Sequence, residues 1–72
     1  NLQFDQKIFL KIVKDLPEEQ QTIIRLKFFE DFTNSEIASM TGKTEGSIRV
    51  LQHRALTKLK ELIEIFKQNQ SQ

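Results

Sequence analysis

Ile48, Leu51, Ala55, Leu59, Leu62 and Phe66 step along the chain by 3, 4, 4, 3 and 4 residues. That spacing places all six on one face of an α-helix. Thr44 is a good N-cap for this helix. The helix is expected to run to about Phe66 or Lys67, leaving a polar tail, residues 68–72, that frays. No run of alternating apolar and polar residues asks for a strand anywhere in the chain.

Three further segments show the same period. From about Phe4 to Asp15 the apolar positions are Phe4, Ile8, Phe9, Ile12 and Val13, followed by Leu16. Asp5 is a candidate cap, and Pro17 stops the helix, because the residue before a proline is pushed out of the helical region. The second helix runs from about Pro17 to Glu30, with the proline at the first helical position. Glu18 and Glu19 in its first turn suit the macrodipole. Its adjacent pairs Ile23-Ile24 and Phe28-Phe29 make a stripe wide enough to touch neighbours on two sides. Phe9, Phe28 and Phe32 are expected in the core. A short helix over about Asn34 to Met40 opens with Thr33-Asn34-Ser35-Glu36, which fits the capping box S/T-x-x-E. Gly42 behind it suits a left-handed cap. The fold class is all-α, four helices around one core, and residues 1–72 are expected to form one domain.

Composition narrows the function. A chain of 72 residues buries roughly 60% of the surface that its unfolded form exposes. Cysteine is absent, which excludes disulfides, thiolate metal sites and a cysteine nucleophile. His53 is the single histidine and has no partner at ligand spacing, so no metal site, cofactor or catalytic triad is expected. No nucleophile–base or carboxylate–metal arrangement is visible, and an enzyme is the least favoured class. No apolar run is long enough to span a membrane, and no signal peptide is recognisable. The chain opens on Asn1 rather than Met, and is expected to be part of a longer protein.

The third helix, the turn containing Gly42 and the fourth helix match the helix-turn-helix pattern. Ala38 lets the two helices approach, and Ile48 anchors the second to the first. Charge placement adds to this. The net charge is only +1, yet residues 1–42 carry −2, residues 43–60 carry +4 and residues 61–72 carry −1. The basic block, Lys43, Arg49, Arg54, Lys58 and Lys60 with His53, falls on the candidate recognition helix. There, cations and the positive helix N-terminus meet phosphate while short side chains reach base edges. If the apolar stripe faces the core, then Glu45, Gly46, Arg49, Val50, His53 and Thr57 lie on the outer arc. Gly46 lets the helix end come close to a DNA backbone, Val50 suits a thymine methyl, and Arg49 suits a phosphate or a guanine edge. The competing reading is an ordinary solvated face.

An ordered series of short segments resembles a known family. It opens with Leu16-Pro17-Glu18-Glu19-Gln20 and continues with Leu26-Lys27-Phe28-Phe29-Glu30-Asp31-Phe32-Thr33. Glu36-Ile37-Ala38, Thr44-Glu45-Gly46-Ser47-Ile48-Arg49 and His53-Arg54-Ala55-Leu56-Thr57-Lys58-Leu59 complete it. Over about residues 8–63 this looks like region 4 of a sigma-70 family RNA polymerase factor, most like the extracytoplasmic-function group. The resemblance implies a helix-turn-helix of winged-helix-like type without a wing. It implies recognition of the promoter −35 element, binding to the β flap of core RNA polymerase, masking by an anti-sigma factor in many members, and work in the bacterial cytoplasm at the nucleoid. A companion domain melts the −10 element. Matching positions imply base contact by Gly46, Ser47, Arg49, Val50 and His53. They imply phosphate contact by Asn34, Ser35, Lys43, Thr44 and Arg54, although Asn34 and Ser35 also read as simple helix-start residues.

One stretch departs from the family. Many members read Lys-Ser-Arg-Leu where this chain has Arg49-Val50-Leu51-Gln52, and Leu51 is expected to take over the core position from residue 52. Leu56, Ile63, Ile65 and Phe66 put apolar surface at the far end of the fourth helix, either to pack on the first helix or to bind the flap or an anti-sigma partner. Thr33-Asn34-Ser35-Glu36-Ile37-Ala38 is also similar to LuxR-type response-regulator output domains. Those place a histidine where this chain has Leu51, and Leu16-Pro17-Glu18 opens helix two in the sigma manner. A helix-turn-helix that only binds protein is the third reading, disfavoured by the basic block.

Overall fold

The computed structural model describes residues 6–70. Four helices follow one another: α1 (Gln6–Val13), α2 (Glu18–Ile24, continued by a π-helical turn at Arg25–Phe29), α3 (Asn34–Thr41) and α4 (Glu45–Gln70). Among the described residues there is no strand. The expected all-α class and the order of the elements stand, while several boundaries move. Phe4 and Asp5 lie outside the described residues. α1 stops at Val13, two residues short of the expected Asp15. Pro17 caps α2 in an extended conformation, φ −53° and ψ 148°, instead of occupying its first helical position. α4 continues through Gln68 and Asn69, where fraying was expected, because no glycine or proline follows Gly46 to end it.

Local chemistry explains the ends. At the first corner, Gln21 Nε2 donates to the carbonyls of Leu16 at 2.7 Å and Lys14 at 3.2 Å. Two carbonyls of the corner between α1 and α2 thereby gain a donor. Thr33 and Glu36 form the full capping box: Glu36 N–H donates to Thr33 Oγ1 at 3.1 Å, and Thr33 N–H donates to Glu36 Oε1 at 2.8 Å. Gly42 ends α3 at φ 73° and ψ 19°, and Lys43 N–H closes back on the Ala38 carbonyl at 3.0 Å. Thr44 Oγ1 then accepts from Ser47 N–H at 3.0 Å, which starts α4. Three residues after a left-handed glycine, at Glu45, the chain is helical again.

The core has two lobes. Ile23, Ile37, Ala38, Ile48 and Leu51 form one, flanked by Leu26 and Phe32. Ile12, Val13, Leu16, Ile24, Ala55 and Leu59 form the other, flanked by Phe9, Phe29, Leu62 and Phe66 among others. α4 belongs to both lobes, and the neighbouring Ile23 and Ile24 point one into each, so α2 does face two sides. Leu51 is buried, as its takeover of the core position requires. Phe28 is a correction, since it was expected inside and is 49% exposed. The cause is the π-helical turn. In a regular α-helix residue 28 would follow Ile24 on the same face. The wider turn, closed by Glu30 N–H on the Arg25 carbonyl at 3.0 Å, admits one extra residue. Phe29 therefore takes the inward place, with its ring centroid 5.7 Å from that of Phe9. Past the turn, Asp31 adopts φ 62°.

Gly42 and Asp31 both occupy left-handed backbone, one with glycine and one without. A Cβ on Gly42 would meet nothing within 4 Å. Gly42→Ala is therefore expected to cost about 1 kcal/mol from backbone strain alone, while Asp31→Gly is neutral or stabilising by up to about 1 kcal/mol. Denaturant unfolding of the two variants checks both signs, and a larger Gly42→Ala loss would point to a steric clash.

Candidate nucleic-acid interface

Each turn of α4 assigns its own faces. Ile48, Leu51 and Ala55 turn inward, which leaves Gly46, Arg49, Val50, His53, Arg54 and Thr57 exposed on the other side. Of the residues singled out for base contact, Gly46, Arg49, Val50 and His53 share this face, and Ser47 at its edge is half-buried. Val50 keeps 48% of its surface open. Around Gly46 the nearest side-chain atom to an added Cβ would be Thr44 Oγ1 at 4.0 Å. The surface at the helix start is thus flat and open.

The residues singled out for phosphate contact sit on the flanks. Asn34 and Ser35 begin α3, Lys43 and Thr44 form the turn, and Arg54 lies on α4. They differ in how free they are. Ser35 and Arg54 are exposed, and Arg54 makes no ion pair among the described residues. The Thr44 hydroxyl already accepts from Ser47 but keeps its own O–H to donate. Lys43 Nζ pairs with Glu19 Oε2 at the start of α2. Asn34 Oδ1 accepts from Gln52 Nε2. Arg49 reaches Glu45 Oε1 at 3.4 Å, a long and exposed pair of the kind worth a few tenths of a kcal/mol. Lys58 lies 4.0 Å from Glu61.

Two of these partners were not legible as functional from the sequence. Gln52 is half-buried and reaches across 18 residues to Asn34. Glu19 was read as a helix-start charge and in addition fastens the turn. A groove of about 430 Å³ also lies between α2 and α4, lined by Pro17, Gln20, His53, Arg54, Thr57 and Lys58 with Glu61. It extends the basic face toward the start of α2. Among the described residues no three of His, Cys, Asp or Glu are placed to hold a metal ion. No helix of the described residues is long and apolar enough to cross a membrane.

The far end of α4 does not present its four candidate partner residues on one surface. Leu56, 46% exposed, and the half-buried Ile63 line a groove of about 420 Å³ with Phe9, Phe28 and Leu59. Lys60, Glu64 and Lys67 rim it. Ile65, 53% exposed, and the half-buried Phe66 line another groove of about 350 Å³ with Ile8, Ile12 and Leu62. Ile63 and Phe66 also pack on the second core lobe, while Leu56 and Ile65 stay exposed.

Comparison with known proteins agrees with this geometry. Residues 12–61 match the family described as sigma-70, region 4. The chain is 39% identical over 54 residues to the ECF RNA polymerase sigma factor ShbA of Streptomyces griseus, covering 75% of this chain and 28% of that protein. It is 38% identical over 53 residues to the ECF RNA polymerase sigma factor SigD of Mycobacterium tuberculosis, covering 74% and 25%. It is 29% identical over 63 residues to the RNA polymerase sigma-F factor of Bacillus licheniformis, covering 88% and 25%. The chain thus spans between a quarter and a third of the length of these relatives. With its helix-turn-helix and its basic face in place, the chain belongs to region 4 of the sigma-70 family, in the extracytoplasmic-function group.

Proposed function

We propose that this chain reads the −35 element of bacterial promoters as duplex DNA and holds core RNA polymerase during transcription initiation. The observation that carries the reading is the open face at the start of α4, where Gly46, Arg49, Val50 and His53 stand within the segment of net charge +4. The helix enters the major groove by its N-terminal turns, as recognition helices do. Arg49 takes a guanine edge or a phosphate and Val50 a thymine methyl, while Ser47 and His53 complete the base-facing set. Asn34, Ser35, Lys43, Thr44 and Arg54 hold the backbone. Arg49 gives up Glu45 at little cost, because the pair is exposed. Lys43, half-buried and paired with Glu19, must leave that partner or share it to reach phosphate. The match of residues 12–61 to sigma-70 region 4 supports this reading over a response-regulator output domain.

The polymerase side is the apolar groove of Leu56 and Ile63, which takes apolar side chains of the β-subunit flap. Ile65 and Phe66 extend that apolar end, and an anti-sigma factor masks it where one is present. The chain works as one domain in the bacterial cytoplasm, at the nucleoid, beside a companion domain that melts the −10 element.

Three outcomes test this reading. Binding of the full-length factor, with polymerase, to a −35 duplex falls with salt on a log–log slope of a few units, and Arg49→Ala weakens it by about 1–3 kcal/mol. Unchanged affinity in that variant would mean that α4 docks by another face. Gly46→Ala separates fold from function. Its Cβ has room, so the fold keeps or gains up to about 1 kcal/mol, while DNA affinity drops because the methyl group stands where the duplex approaches. Finally, NMR titration with the flap-tip segment shifts resonances within residues 56–66, and a flat response there would remove the groove assignment.

A further inference from the structure

Gln52 follows the buried Leu51 on the third turn of α4 and is itself half-buried. Its Nε2 donates to Oδ1 of Asn34, the first residue of α3. The bond joins the two helices of the helix-turn-helix at the end away from the Gly42 turn. An asparagine side chain has an acceptor end and a donor end. With Oδ1 engaged, the Nδ2 end keeps two N–H donors for a group outside the protein. Phosphate oxygen matches that chemistry, whereas a reversed amide would set carbonyl oxygen against phosphate oxygen. The same bond fixes how far the start of α3 stands from the base-facing turns of α4.

We propose that Gln52 is a positioning residue for DNA recognition: it holds the Asn34 amide with its N–H pair outward, as donor to a duplex phosphate, and keeps α3 at a set distance from α4. The proposal rests on the DNA-binding reading above and deepens it. It also gives the departure at positions 51 and 52 a meaning. Leu51 takes over the core, which releases residue 52 to be polar and to reach α3.

The test is a double-mutant cycle in the full-length factor, with a duplex selected by the parent protein from a random pool as the probe. Gln52→Met keeps the length of the side chain and removes the donor, and Gln52→Leu is a second variant with the same chemistry. Each of Gln52→Met and Asn34→Ala is expected to weaken duplex binding about fivefold, the scale of one hydrogen bond. The double variant is expected to bind no more weakly than Asn34→Ala alone. The salt slope stays at the parent value, because neither residue is charged. A clamp that serves only the fold would lower the denaturation midpoint and leave the affinity of the folded protein unchanged, which overturns the proposal. Additive losses in affinity overturn it as well. A parent that binds no duplex ends the functional reading and this proposal with it. A parent that binds, with Gln52→Met and Gln52→Leu unaffected, ends this proposal alone.

Discussion

The apolar stripe of α4 is the constraint on which the rest of the molecule depends. Ile48 and Leu51 close the lobe that α3 covers, and Ala55 and Leu59 close the lobe that α1 covers. Neither lobe is large enough to stand as a core by itself in a chain of 72 residues. α2 bridges them with Ile23 and Ile24, one residue for each lobe, across a single peptide bond. α1 and α3 are too short to be stable as isolated helices, and their order follows from packing on this stripe.

What was legible in the sequence was what is decided locally. The Thr33–Glu36 box, the left-handed Gly42 and the Thr44 cap each involve residues within a few positions of one another, and residue type and spacing are enough to identify them. The burial pattern of α4 was legible for a related reason, because a single period runs uninterrupted through it. Phe28 was not. Its outward position comes from one extra residue in the π-helical turn, which brings Phe29 instead onto Phe9, a partner about twenty positions away. Asp31, two residues past that turn, takes left-handed backbone with no glycine to signal it.

The candidate site divides in the same way. Its exposed face follows from the helical wheel once the core side is known, and Gly46, Arg49, Val50 and His53 fall on it together. The fastenings behind that face do not follow. Lys43 with Glu19 and Gln52 with Asn34 are pairs between segments far apart in sequence, brought together only by the packed helices. Charge shows the same separation of scales. The nearly neutral total conceals a basic stretch beside two acidic ones, and the fold then returns Glu19 from an acidic segment to the edge of the basic one.

The unbroken length of α4 has a mechanical consequence. Twenty-six helical residues make a rod of about 39 Å, with the exposed turns of Gly46, Arg49 and His53 at one end and the apolar grooves toward the other. The two lobes grip it from Ile48 to Leu59, so the rod turns as one body. A tilt of about 5° applied where Leu56 and Ile63 are held, roughly 17–27 Å from the first turn, would displace that tip by roughly 2 Å. In the proposed function, a partner seated on the grooves would therefore set the angle at which the first turns of α4 meet a duplex, with the helix as a lever between the two surfaces.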